Sequence, residues 1–308
     1  MKAVTLDAPD APPALRDDPE APSPAAGELL VRVRASSANP VDNAIAAGML
    51  SGMVEHEFPV VLGRDYAGVV EQVGAEVAGF AVGDEVYGFV PAANPSVRDG
   101  AWAELIAVAE GSVGRAPAGV DLAAAGAAPL AGITAITAID ALELSEGDSV
   151  LVVGATGGVG SMAVQLAARA GATVVAPALP EDEQYLRDLG VTDLLPREGD
   201  IAELVRERHP DGVDALLDVV SYAPGTFDAA LKDGARVASP NSAAGDGPGR
   251  TNVMATPTPE NLERLAGLLA DGALRVPVQD TYDLAQVPEA LSALAGTHTQ
   301  GKLALRIG

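Results

Sequence analysis

From residue 149 to about residue 240, apolar segments alternate with amphipathic ones, and this alternation constrains the fold more than any other feature of the chain. The apolar runs SVLVV (149–153) and TVVAPA (173–178) are each followed by a helix-like segment. The rhythm continues through GVDALLDVV (212–220), APGTFDAALKDG (223–234) in a helix position, and ARVASP (235–240). Strands that are apolar throughout are typical of a parallel sheet covered by helices on both faces. The region therefore predicts an α/β domain.

The first apolar run ends in a glycine-rich turn, GATGGVG, which leads directly into an alanine-rich helix-like segment. In a doubly wound fold such a turn lets the backbone approach a pyrophosphate, and the next helix aims free N–H groups at it. The alternative is a tight corner that binds nothing. Because further strand and helix units follow, we expect a nucleotide site. Its residues would be Gly154, Ala155, Thr156, Gly157, Gly158, Val159 and Gly160.

Further nucleotide contacts are expected where the other strands end, because ligands of open α/β sheets bind outside the carboxyl ends of the strands. The candidates are Pro177, Val219, Val220, Ser239 and Pro240. An acid at the end of the second strand would favour NAD, and a nearby arginine would favour NADP. Neither stands at Pro177 or Ala178. The residues themselves leave the choice of dinucleotide open.

The first 118 residues have a different texture, with short strand-like runs and many turns. ELLVRVRA (28–35) alternates apolar and charged side chains, which is the period of a half-buried strand. FPVVLGRDYAGVVEQVG (58–74) and AWAELIAVAE (101–110) also favour strands, with a loop over 93–100. This part is expected to be mostly β and to form a partly closed barrel.

Two further segments carry specific predictions. Residues 121–142 have helical spacing, with Asp121 as an N-cap and Pro129 dividing the segment into two helices. The last run, GKLALRI (301–307), alternates like a strand and could return to the first domain.

Composition excludes several classes of function. The chain has 308 residues, a formal net charge of −24, no cysteine and three histidines. Disulfides, thiolate catalysis and cysteine-containing zinc sites are excluded, and the negative charge disfavours a nucleic-acid partner. No run is apolar enough for a membrane span, and the N-terminus lacks a secretory signal, so a cytoplasmic location is expected.

Seven motifs in order resemble the zinc-independent quinone oxidoreductases of the medium-chain dehydrogenase/reductase superfamily. They are NPVD (39–42), FPVVLGRDYAGVV (58–70), VGDEVYG (82–88), GAWAELIAV (100–108), AGITAI (131–136), VVGATGGVGSMAVQLA (152–167) and GKLAL (301–305). The resemblance implies a GroES-like, mostly β catalytic domain from residues 1–118 and 273–308. It also implies a Rossmann-type, doubly wound parallel-sheet domain from residues 119–272, with the active site in the cleft between them. Such proteins are commonly homodimers and use NADP(H), with NAD(H) as the alternative.

The resemblance also indicates a reaction. Zinc-containing relatives have a cysteine where this chain has Asn39 and a His–Glu pair where it has Arg64–Asp65, so no metal is expected. Without a Lewis acid, the chemistry implied is hydride transfer to a quinone or an α,β-unsaturated carbonyl compound, with hydrogen bonds to the developing oxyanion. The alternatives are an enoyl reductase that tailors a specialised metabolite or an acyl thioester, and a non-catalytic nucleotide-binding redox sensor.

Three residues are candidates for the reaction itself. By resemblance, the Asn39 amide would donate to the nicotinamide or the substrate; the alternative is a turn residue that caps its own backbone. Asp42 would organise the same loop or act near the substrate, or it would be a helix N-cap. Thr134 corresponds to a family position close to the nicotinamide, or it is a helical threonine that bonds back to a carbonyl. No general acid is identified.

Overall fold

The computed structural model describes residues 1–9, 11–91, 97–296 and 298–308. They form two compact units, one of Met1–Leu130 with Thr256–Gly308 and one of Ala131–Ala255. Residues 92–96 lie outside the described residues, so the first half of the predicted loop 93–100 does too. The domain boundaries expected from the resemblance stay predictions.

The described residues form sixteen strands and eight helices. The strands are β1 (Ala3–Leu6), β2 (Ala14–Arg16), β3 (Glu28–Ala38), β4 (Val60–Val61), β5 (Asp65–Val73), β6 (Glu85–Phe89), β7 (Leu105–Ala109), β8 (Gly114–Arg115), β9 (Ser149–Val153), β10 (Thr173–Ala178), β11 (Asp193–Pro196), β12 (Val213–Asp218), β13 (Leu231–Ser239), β14 (Arg250–Asn252), β15 (Val278–Asp283) and β16 (Lys302–Arg306). The helices are α1 (Pro40–Ala46), α2 (Leu122–Ala127), α3 (Pro129–Ala141), α4 (Gly158–Arg169), α5 (Glu183–Leu189), α6 (Ile201–Arg208), α7 (Pro259–Ala270) and α8 (Val287–Gly296). Within the described ranges, none of these helices is both long and apolar enough to cross a membrane.

The first unit is built on a mostly antiparallel sheet in the order β15-β16-β3-β5-β6-β8, with β7 also paired to β3. A smaller sheet has the order β2-β1-β4. The long strand β3 buries most of its side chains because it pairs with β5, β7 and β16. The last strand, β16, pairs antiparallel with β3, and Leu303 lies opposite Ala38. The predicted return of the C-terminal strand to the first unit is therefore confirmed.

The second unit contains a parallel sheet in the order β11-β10-β9-β12-β13-β14. All five residues of the central strand β9 are buried, which explains why its sequence is apolar throughout. The predicted α/β architecture with a Rossmann-type parallel sheet is confirmed.

Two local predictions have different outcomes. The Asp121 side chain accepts hydrogen bonds from the N–H groups of Ala123 and Ala124, and a new helix begins at Pro129, as predicted. The helix position assigned to residues 223–234 is wrong: this segment holds a single 3₁₀ turn at Asp228–Ala230, and β13 begins at Leu231. Pro224, Gly225 and the short distance to the next strand leave no room for a regular helix.

Candidate functional site

The carboxyl edge of the parallel sheet gathers the residues predicted to contact a nucleotide. Val153 at the end of β9 pairs with Asp218 at the end of β12, and Leu217 pairs with Ala238 in β13. Because all strands run the same way, the segments that follow them leave from one edge. The structure thus brings the glycine turn, Val219, Val220, Ser239 and Pro240 to that edge. Pro177 lies near the same edge, because it is the next-to-last residue of β10 and pairs with Leu195 of β11.

Two glycines, one in the turn after β9 and one in the first turn of α4, are required by the fold itself. Gly154 has a φ of +91°, and a Cβ there would lie 2.6 Å from Cγ2 of Val219. A Cβ on Gly160 would lie 2.1 Å from the carbonyl oxygen of Gly154. The first position therefore needs a left-handed backbone, and the second needs close packing of α4 against the turn.

Gly157 is different, because the fold does not require a glycine there. Its φ is −74°, and the nearest atom to an added Cβ would be the Gly154 carbonyl oxygen at an ordinary 3.7 Å. The first hydrogen bond of α4 runs from Ser161 N–H to the Gly157 carbonyl at 2.8 Å, so the N–H groups of residues 158–160 precede the helix ladder. The absence of a steric need for glycine at position 157, together with these amides, suits the pyrophosphate of a dinucleotide.

Asp218 shapes the turn that faces the glycines, and the sequence analysis did not single it out. Its Oδ1 accepts hydrogen bonds from the N–H groups of Val220 (3.0 Å) and Ser221 (2.9 Å), and its Oδ2 accepts one from the Ser221 hydroxyl (2.6 Å). An aspartate at the end of a buried strand with a serine three residues later is the signal that could have revealed it. The result is a fixed turn that carries Val219 against Gly154.

Ser239 serves its own loop through its side chain. Its hydroxyl oxygen accepts hydrogen bonds from the N–H groups of Asn241 (3.1 Å) and Ala243 (3.3 Å). This arrangement leaves the backbone at Ser239 and Pro240, rather than the hydroxyl, as the group predicted to contact a nucleotide.

The structure brings an arginine to the end of β10 that sequence reasoning missed. Ala178 pairs with Pro196, and the N–H of Arg197 donates to the Ala178 carbonyl at 3.0 Å. Arg197 is exposed, and it lies at the sheet edge where the ribose of a dinucleotide is bound in this type of fold. The available signal was its position directly after the neighbouring strand. A cation near Ala178 fits a 2′-phosphate.

Asn39 and Asp42 lie in the first unit within a buried charge cluster, which we define as Asn39, Asp42, Arg64, Asp65 and Lys302. Each of these residues is at most 3% exposed. Asn39 follows β3 directly, the Arg64–Asp65 pair leads into β5, and Lys302 begins β16. Pairing of β3 with β5 and β16 brings these distant parts of the chain together. The sequence analysis named Asn39 and Asp42 as candidates but not Lys302.

Hydrogen bonds fix the Asn39 side chain from both ends. Its Nδ2 donates to Asp65 Oδ2 at 2.8 Å, and Lys302 Nζ donates to its Oδ1 at 2.5 Å. Asp65 also accepts bonds from the Ser37 hydroxyl (2.6 Å) and from Leu130 N–H (2.7 Å), at the start of α3. Asp65 is thus an acceptor for three donors, and its contact with Leu130 also places negative charge at a helix N-terminus.

Asp42 is held in the same cluster by a weaker set of contacts. Its Oδ2 accepts a bond from Asn39 N–H at 2.8 Å, so it lies in the first turn of α1 and is not the N-cap. Its Oδ1 lies 3.8 Å from Arg64 Nε, and neither atom has a hydrogen-bond partner among the described residues. Burial raises the pKa of Asp42 to about 7, although the Arg64 charge opposes that shift.

Thr134 lies in α3 and belongs to the second unit, whereas Asn39 and Asp42 belong to the first. It is 6% exposed. The roles predicted for these three residues in the reaction stay predictions.

The buried charge cluster does not fit a zinc ion. Zinc in proteins is bound by thiolate, imidazole and carboxylate groups, and the chain has no cysteine. Lys302 Nζ lies 3.6 Å from Asp65 Oδ2, so an ammonium group already neutralises the carboxylate there. Across the residues that the structure describes, no group of three or more histidine, aspartate or glutamate side chains could hold a metal ion.

Comparisons with known proteins identify two matching families and several relatives. Residues 25–118 match the alcohol dehydrogenase GroES-like domain, and residues 189–305 match a family described as zinc-binding dehydrogenase. The chain is 32% identical over 283 residues to a chloroplastic NADPH-dependent alkenal/one oxidoreductase of Arabidopsis thaliana, covering 90% of this chain and 71% of that protein. It is 27% identical to a chloroplast envelope quinone oxidoreductase homolog of the same plant, covering 92% and 90% of the two chains.

A solved structure shows the same fold. The quinone oxidoreductase from Coxiella burnetii superimposes with a TM-score of 0.87 at 26% sequence identity, over 100% of this chain and 99% of that chain. This likeness and the match over residues 25–118 confirm the GroES-like fold expected for the first unit.

Proposed function

This chain belongs to the quinone oxidoreductase family of the medium-chain dehydrogenase/reductase superfamily, and we propose that it reduces quinones or α,β-unsaturated carbonyl compounds with NADPH and without zinc. In support, a relative that is 32% identical is an NADPH-dependent alkenal/one oxidoreductase. The homodimer implied by the resemblance and the cytoplasmic location expected from the sequence belong to the same proposal.

The observation that carries the proposal is that the fold does not require a glycine at position 157. A glycine whose Cβ would meet no close atom, directly before a helix with free N–H groups, supports binding of a pyrophosphate. Gly154 and Gly160 alone would support only a tight corner, because the fold needs them in any case.

In the proposed reaction, some residues bind the coenzyme and others stabilise the reacting substrate. When bound, the nicotinamide coenzyme supplies the hydride. The N–H groups at the start of α4 bind its diphosphate, and Arg197 binds the 2′-phosphate. Asn39 donates a hydrogen bond to the oxygen that becomes negative when the substrate accepts the hydride. The proton that completes the product comes from water or from a hydroxyl of the coenzyme.

The buried charge cluster supports a reaction without zinc. Its two cations, Arg64 and Lys302, stand among the residues that correspond to the zinc ligands of related enzymes and neutralise the carboxylates there. Reduction of a quinone or an enone needs only hydride delivery and hydrogen-bond donors, which is a smaller demand than polarising an alcohol.

The test is to follow oxidation of NADPH and NADH with a panel of quinones, enones and acyl thioesters, with and without a chelator. We expect turnover of quinones or enones with NADPH that the chelator does not reduce. Turnover restricted to acyl thioesters would identify an enoyl reductase instead. Coenzyme binding without turnover of any substrate would identify a nucleotide-binding sensor, and failure to bind either coenzyme would overturn the assignment entirely.

A further inference from the structure

We propose that Lys302 is a positioning residue, which sets the orientation of the Asn39 amide and polarises it as a hydrogen-bond donor. The proposal rests on the proposed function, because it assigns Asn39 a donor role in that reaction. It concerns a contact between residues 263 positions apart in the sequence.

The orientation of the Asn39 amide is set by its two charged hydrogen-bond partners. The two ends of an asparagine amide have nearly the same shape, so their hydrogen-bond partners decide which end points where. Lys302 can only donate and the Asp65 carboxylate can only accept, and they bond Oδ1 and Nδ2 at 2.5 Å and 2.8 Å. The reversed amide would place donor against donor and acceptor against acceptor, so this pair of charges allows a single orientation.

One N–H of the Asn39 amide remains as a hydrogen-bond donor. The Asn39 NH₂ group has two hydrogens, and Asp65 accepts one of them. Among the described residues, no hydrogen bond uses the other. A cation on the amide oxygen draws electron density from the nitrogen, which makes the remaining N–H a stronger donor towards an oxyanion.

The contacts of the Lys302 ammonium group favour a role through Asn39 over a direct part in proton transfer. Its Nζ has three N–H groups, and three acceptors surround it: Ala38 O at 3.2 Å, Asn39 Oδ1 at 2.5 Å and Asp65 Oδ2 at 3.6 Å. Lys302 is 3% exposed. Two of its N–H groups donate to Ala38 O and Asn39 Oδ1, and the Asp65 carboxylate stabilises its charge as an ion pair, so its structural contacts run through Asn39.

The test is a double-mutant cycle with Lys302→Met and Asn39→Ala in the full-length protein, measured as kcat and KM of the reductase reaction. We expect Lys302→Met to lower kcat about tenfold and Asn39→Ala about a hundredfold, each with little change in KM, because the lost donor acts in the transition state. In the Asn39→Ala background, Lys302→Met should lower kcat less than about twofold, since its effect passes through the amide.

Two further variants separate this role from a purely structural one. Lys302→Gln keeps a donor for Asn39 Oδ1 but removes the charge, so kcat should fall between the wild type and Lys302→Met. Lys232→Met is the matched control, because Lys232 also binds an aspartate, Asp214, at 2.7 Å but lies in the second unit. It should leave kcat within about twofold of wild type.

The outcomes are distinct. Additive losses of kcat in the double mutant, or an unchanged kcat in Lys302→Gln and Lys302→Met, would overturn the positioning role even if the wild type is an active reductase. If Lys302→Met does not fold, the cycle is run with Lys302→Gln, and additivity is judged in the same way. Absence of wild-type turnover would instead count against the proposed function.

Discussion

At the scale of single residues, Gly157 and Gly160 have opposite reasons to be glycine. A Cβ on Gly157 would make only an ordinary 3.7 Å contact with the Gly154 carbonyl oxygen, whereas one on Gly160 would lie 2.1 Å from the same oxygen. We expect Gly157→Ala to change the free energy of unfolding by no more than about 1 kcal/mol but to raise the Kd for NADPH at least about tenfold. Gly160→Ala should cost about 1–3 kcal/mol of stability through overpacking. Calorimetry and urea unfolding measure the two quantities, and wild-type coenzyme affinity in Gly157→Ala would place the phosphate site elsewhere.

Arg197 allows a prediction about coenzyme preference. If Arg197 binds the 2′-phosphate as proposed, replacement by alanine removes a charge-assisted contact that NADH does not make, so KM for NADPH should rise about tenfold or more while KM for NADH stays constant. Arg187→Ala is the control, because this arginine is also exposed but lies on α5, where it forms an ion pair with Glu183. Steady-state kinetics with both coenzymes decide the matter, and an equal effect on NADPH and NADH would remove Arg197 from the ribose site.

Asp42 makes the stability of the protein depend on pH near neutrality. Burial raises its pKa from the ordinary 3.8 of an aspartate to about 7 in the folded chain, so the folded state binds more protons between these values. The free energy of unfolding should therefore fall as the pH rises from about 4 to about 7, by at most about 1.4 kcal/mol per pH unit from this group. Urea unfolding over this range, compared with Asp42→Asn, measures the contribution. The same slope in both proteins would show that another group is responsible.

At the scale of secondary structure, Asp214 joins three neighbouring strands of the parallel sheet. From β12 it accepts bonds from the Ser149 N–H (2.9 Å) and hydroxyl (2.8 Å) in β9, and from Lys232 Nζ (2.7 Å) in β13. Burial raises its pKa, but the hydrogen bonds from Lys232 and Ser149 outweigh burial and lower the pKa to about 2. The polar contacts thus fasten strands whose apolar faces are covered by helices.

This network predicts how the protein responds to acid. Because the folded pKa is depressed, the stabilisation from Asp214 is complete above the unfolded pKa of about 4 and is lost as the pH falls towards 2. Asp214→Asn should therefore lower the free energy of unfolding by about 2 kcal/mol at pH 7, and the difference should shrink below pH 4. Asp233→Asn, at an exposed position of β13, is the control. A difference from wild type that does not change with pH would contradict the prediction.

At the scale of the whole molecule, the net charge of −24 opposes the compact state by self-repulsion. Added salt shortens the Debye length from about 30 Å at 0.01 M to about 3 Å at 1 M, so it screens this repulsion. We expect Tm to rise with NaCl over that range and to rise equally with KCl, since screening does not depend on the cation. Calorimetry at several salt concentrations measures it. A falling Tm would mean that exposed ion pairs such as Arg16–Asp7 contribute more than the net charge.

Local patterns in the sequence predict the elements that depend on near neighbours. The apolar run 149–153 became a fully buried strand, Asp121 caps α2, and α3 begins at Pro129. The alternation of strands and helices predicts a helix over 223–234, and this prediction is wrong because Pro224 and Gly225 disfavour a helix there. The glycine turn was identified, but only the space around each Cβ separates Gly157 from the glycines that the fold needs.

By itself, the sequence determined the parallel sheet, the glycine turn after its first strand and the family, because strand period, turn sterics and motif order are properties of residues near one another in the chain. The tertiary structure alone decided that Lys302 bonds Asn39 and that Arg197 adjoins Ala178. These contacts depend on which strands pair and in what register. Strand pairing is settled by packing of the whole unit, and no local pattern of residues records it.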